Sequence, residues 1–145
     1  MTTEPGEWEV TVLLADFAQV ADGKLYVLGG GWSLCGPGPF THALAVKVGV
    51  PWTETNQGHQ LEAVLVDEDL HPVALGEPPE EIRFVTEFEV GRPPGLPAGS
   101  LIDVPMAVNL GPLQLAPGRG YLWSVRIDGE EMERAGFRVR AVAPG

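Results

Sequence analysis

Along most of this chain, apolar and polar side chains take turns one by one. Trp8, Val10, Val12 and Leu14 share one parity, with Glu7, Glu9 and Thr11 on the other. Phe40, Leu44, Val46 and Val48 alternate with Thr41, Ala43, Ala45 and Lys47; His59, Leu61, Ala63 and Leu65 alternate with Gln60 and Glu62. The second half keeps the habit, in Ile82, Phe84, Phe88 and Val90, in Ile102, Val104, Met106, Val108 and Leu110, in Tyr121, Trp123, Val125 and Ile127, and in Ala135, Phe137 and Val139. A period of two puts neighbouring side chains on opposite faces, so each run predicts a strand with one dry and one wet face. Shorter strands are predicted at Lys24 to Leu28 and Val73 to Leu75, and no helix-period segment exceeds a turn or two.

The punctuation agrees. Glycines and prolines cluster between the runs, chiefly at 29–39, 91–99 and 111–120. Asp22-Gly23 and Asp128-Gly129 predict type I′ hairpin turns, whose two central residues both need positive φ. Asp67 to Leu70 reads as a longer hairpin loop. Pro105 offers no N–H to a ladder, so its strand is predicted to be an edge or to bulge there. These signals predict an all-β fold, an antiparallel two-sheet β-sandwich of about eight strands with its apolar faces together. At 145 residues the chain is expected to form one domain over 1–145.

Leu115, Pro117, Gly118 and Tyr121 form L-x-P-G-x-x-Y, which resembles the tyrosine corner of immunoglobulin-like and fibronectin type III-like domains. The resemblance implies a Greek-key sandwich in which the tyrosine hydroxyl bonds nearby backbone. The cysteine pair of true immunoglobulin domains is absent, since Cys35 is the single cysteine. Leu14 to Trp32 (LADFAQVADGKLYVLGGGW) and Pro51 to Asp69 (PWTETNQGHQLEAVLVDED) resemble a family of small bacterial proteins of unknown function, over most of the chain. That resemblance implies neither an activity nor site residues.

Charge narrows the partners. Nine Lys and Arg stand against 20 Asp and Glu, a net charge of −11 that repels phosphate backbones and anionic headgroups. No nucleic acid and no membrane partner is expected, and no apolar run reaches the length of a membrane span. One cysteine and no signal-peptide pattern at the start predict a cytoplasmic protein.

Candidate chemistry is sparse. His42 and His59 fall on the apolar parity of their strands, which predicts half-buried, hydrogen-bonded rings; no HxH or CxxC spacing points to a metal. His71 precedes Pro72 as a turn residue. No basic neighbour in sequence activates Cys35. Gly29-Gly30-Gly31 leads into no helix, so it predicts a strand exit or bulge rather than a phosphate cradle. No cofactor is implied. Asp67, Asp69 and Asp128 sit in acidic hairpin tips and are the candidate carboxylates for a calcium or small-ligand site in loops 29–39, 67–70 and 128–131. Arg126, Arg134, Arg138 and Arg140 share the wet parity of the last hairpin. They predict either cross-strand pairs with Glu7, Glu9 or Glu133, or docking on an acidic partner or on Glu87 and Glu89 of a second copy.

Successive strands that simply alternate in direction would gather the loops at 29–39, 67–70, 91–99 and 128–129 at one end, and those at 22–23, 51–57, 77–80 and 111–120 at the other. This expectation requires Val73 to Leu75 to be a full strand. The function expected is a non-catalytic binding or scaffold module for a protein partner or homo-oligomer, with Trp32 and Trp52 as aromatic anchors if they are exposed.

Overall fold

The computed structural model describes residues 6–143. They form β1 (Glu9–Ala15), β2 (Phe17–Ala21), β3 (Lys24–Leu28), β4 (Leu34–Cys35), β5 (Phe40–Val50), β6 (His59–Asp67), β7 (Ala74–Leu75), β8 (Glu80–Glu81), β9 (Arg83–Phe88), β10 (Ile102–Leu113), β11 (Gly120–Ile127) and β12 (Glu130–Val139). One 3-10 turn, Trp52–Glu54, interrupts this all-β order, and no helix among the described residues is long and apolar enough to cross a membrane.

Two larger sheets carry the alternation. One has the order β1-β5-β10, the other β4-β12-β11-β6-β9. Their ladders are antiparallel except for β4, which runs parallel to β12. The apolar parities meet in one core, in which Leu44, Val46 and Val48 of β5 share a cluster with Leu61 and Leu65 of β6 and Trp123 and Val125 of β11. Burying such alternating side chains is the main favourable term for the fold. Pro105 lies in β10, at the edge of its sheet, as a strand that cannot donate there must.

A smaller ribbon adds a layer that the alternation did not predict. After a kink at Asp16, β2 and β3 pair through a hairpin at Asp22 (φ 52°) and Gly23 (φ 70°). One face of this ribbon packs Ala18, Leu25 and Val27 onto the outer face of the three-stranded sheet, at Ala43, Ala45 and Ala107. Small side chains there let the layers approach, so Ala43 and Ala45 of β5 are dry where a wet face was expected.

The direction of the later strands also differs from simple alternation. β7 pairs only with the equally short β8, and Val73 N–H bonds the Leu65 carbonyl. The run at 73–75 does not cross the molecule, and the chain returns as β9 directly beside β6. Every later strand is therefore reversed. The loops at 29–39, 68–71 and 114–119 share one end, where Trp32 packs on Phe40 and Phe137. The loops at 51–58 and 89–101 and the turn at 128–129 share the opposite end, where Trp8 packs on His59 and Phe88.

Candidate functional site

Both strand histidines are buried, at opposite ends and in different sheets. His42 accepts the indole N–H of Trp123 at its Nε2, 3.0 Å away, among Trp32, Phe40 and Phe137. Burial lowers its pKa to about 4, so the ring is neutral with its proton on Nδ1. His59 is bonded at both nitrogens: Nδ1 lies 2.7 Å from Asp128 Oδ2 and Nε2 2.7 Å from the Glu54 carbonyl. Burial pulls its pKa down, but the Glu54 carbonyl and the Asp128 carboxylate outweigh it and raise the pKa. Two acceptors want two donors, so the protonated ring is the form that ties the 51–58 loop to the β11–β12 turn at both nitrogens. Both ring nitrogens are then engaged by these two acceptors.

The candidate carboxylates do not converge. Asp67 Oδ1 accepts the N–H groups of Asp69 and His71, which shapes the loop after β6 and holds the Asp67 pKa below its ordinary value. Ligand atoms of Asp67, Asp69 and His71 lie within 4.8 Å of one another at that tip. Asp128 stands at the opposite end, beside Gln60, seven residues down β6 and roughly 23 Å away at ordinary strand rise. The expectation that loops 67–70 and 128–131 form one site is thus corrected, because 73–75 does not carry the chain across.

The arginines pair within their own sheet, with partners other than those expected. Arg126 reaches Glu62 across the β11–β6 ladder at 3.6 Å, Arg134 reaches Glu131 at 2.6 Å and Arg138 reaches Glu68 at 3.6 Å. Glu9 lies on β1, in the other sheet. Arg140 follows β12, where its N–H bonds the Cys35 carbonyl.

Neither tryptophan is an exposed anchor. Trp32 is half-buried against the core. Trp52 is half-buried with the Arg92 guanidinium 4.4 Å over its ring, while Arg92 also bonds the Trp52 carbonyl and Thr55 Oγ1. The exposed apolar surface is elsewhere. On the outward face of the ribbon, Phe17 (44% exposed) pairs with Leu28 (64%), and Tyr26 (52%) stands opposite Gln19. The signal was in the sequence: Phe17 and Leu28 flank an Asp-Gly turn at equal distance.

One tyrosine does what its motif implies. Ala116 N–H donates to the Tyr121 hydroxyl at 3.0 Å, pinning the connection into β11.

A family model described as a family of unknown function, DUF6941, matches residues 10–140. No curated protein and no solved structure matches the chain.

Proposed function

Because the chain belongs to a family of unknown function, DUF6941, we propose from its geometry that it is a non-catalytic binding module that pairs with a second copy of itself through the outward face of the β2–β3 ribbon. We read its two main sheets as an immunoglobulin-like β-sandwich. The strand orders β1-β5-β10 and β9-β6-β11-β12, together with the Tyr121 corner, support that reading. With its one thiol free, the protein suits a reducing compartment.

The observation that carries the proposal is the concentration of Phe17, Tyr26 and Leu28 on the outward face of the ribbon. Charge selects the occupant. Two copies at −11 repel each other. The outward positions of the ribbon are Phe17, Gln19, Ala21, Lys24, Tyr26 and Leu28, with no acid among them, so copies meet here at least cost. The face is about 17 Å long and two strands wide. That is short of the roughly 800 Å² per partner of a standard interface, so the pairing is weak and concentration-dependent.

Sedimentation over a dilution series tests this. The wild-type chain is expected to shift from monomer to dimer with concentration. Phe17→Ser and Leu28→Ser, both at exposed positions, are expected to stay monomeric with unchanged far-UV circular dichroism. A wild type that is monomeric up to about 1 mM, or variants that dimerise equally well, would overturn the proposal.

A further inference from the structure

The two main sheets are closed differently along their two flanks. On one flank β1 packs near β12. On the other, a groove of about 290 Å³ lies open between the edge strands β9 and β10. Phe84, Phe88, Val104, Met106 and Val108, from the inward parities of the two sheets, line it, and Glu87 and Ala107 complete its rim. A cavity of about 150 Å³ holds one benzene ring, so this one takes about two large apolar side chains. Among the described residues, β9 has a ladder partner only on the β6 side, which leaves a row of backbone donors and acceptors beside the groove.

We propose that this flank binds an extended segment of another protein, added as a strand to the free edge of β9, with apolar residues at its inward positions and lysine or arginine at its outward ones. The register dictates that pattern. A strand beside β9 sets its inward side chains next to Phe84, Thr86 and Phe88, over the groove. Its outward side chains fall beside Val85, Glu87 and, just past the strand, Glu89. Neither Glu87 nor Glu89 has an ion pair among the described residues, unlike Glu62 and Glu81, which hold Arg83. The acidic rim asks for cations, and the net charge of −11 draws a basic segment toward it.

The partner is not a second copy. Within this chain the strand with apolar inward and basic outward residues is β12, with Ala135, Phe137 and Val139 against Arg134 and Arg138. Those inward side chains are buried in the chain's own core, so β12 cannot lay them into the groove of a second copy.

The test uses the full chain carrying Phe17→Ser, so ribbon pairing does not enter. Two fluorescent peptides of about eight residues, one alternating valine and lysine and one alternating valine and glutamate, are titrated by anisotropy. Amide NMR shifts locate the binding. The valine–lysine peptide is expected to bind saturably, with shifts concentrated at 83–89 and 102–108, and the valine–glutamate peptide at least about tenfold more weakly. Glu87→Lys, an exposed change, is expected to weaken the valine–lysine peptide by about tenfold; Met106→Arg, which fills the groove with a cation, is expected to abolish binding while the melting curve stays cooperative. Three results overturn the proposal: no saturation up to about 1 mM, equal affinity for both peptides, or shifts confined to other acidic loops. Binding unaffected by Glu87→Lys does so as well and does not depend on how Met106→Arg folds.

Discussion

His42 and His59 are buried alike but respond to pH with opposite sign. The His42 pKa falls from 6.5 to about 4 on folding. Above pH 6.5 its burial costs nothing in protonation; as pH drops from 6.5 toward 4 the unfolded chain takes up a proton that the folded one refuses. The stability lost across that window is about 3 kcal/mol. The His59 pKa is raised above 6.5, so its contribution is complete below pH 6.5 and fades as pH climbs through the raised value. Asp128, the other half of that contact, has a lowered pKa: burial would raise it, but the His59 and Gln60 hydrogen bonds prevail. Its share holds above about pH 3.8 and is lost as pH falls through the lowered value. Histidine ring resonances followed by NMR should show one ring neutral down to about pH 4 and the other charged above pH 6.5. His42 and His59 titrating together near 6.5 would contradict both environments.

Among the elements, one side chain fastens the packed ribbon to β10 by hydrogen bonds. Asn109 projects from the outer face of β10, accepting Ala18 N–H at Oδ1 (3.2 Å) and donating from Nδ2 to the Ala18 carbonyl (2.7 Å). It serves as a one-residue ladder partner for a strand that lies across, rather than within, the sheet. Asn109→Ala leaves both backbone groups partly buried without that partner, at a cost of about 1–3 kcal/mol. Hydrogen exchange should accelerate at 17–28 while β5 and β11 keep their protection. Asn109→Asp, which retains the acceptor and loses the donor, should fall between. Exchange accelerated equally throughout would mean that the ribbon is not a separate unit of stability.

For the whole molecule, charge sets two surfaces in opposition. Ribbon pairing is apolar contact made against the repulsion of two acidic bodies, whereas the flank depends on attraction between Glu87, Glu89 and a cationic segment. Screening beyond about 10 Å at 0.1 M ionic strength removes repulsion from the first and attraction from the second. Added salt should therefore strengthen self-association and weaken the valine–lysine peptide, measured on the same preparation. Salt dependences of the same sign would show that one of the two surfaces is misassigned.

Local pattern determined the all-β class, the inward faces of β5, β6, β11 and β12 and the two Asp-Gly hairpins, and it left Pro105 at an edge or a bulge, of which the sheet order chose the edge, because a strand's side chains obey a local period of two and a turn's φ angles obey local sterics. The L-x-P-G-x-x-Y motif likewise located the Tyr121 contact, which spans only five residues. What the chain brings together across long separations was left to the tertiary structure. Val73 to Leu75 has the composition of a strand but is too short to traverse a sheet, and that one fact moved Asp128 to the end opposite Asp67. Ala43 and Ala45 read as the wet side of β5 and became a dry floor once the ribbon folded back over them. Exposure of Phe17, Leu28 and the β9–β10 groove was likewise decided by which layer lies on which, a property of packing between elements that no local period records.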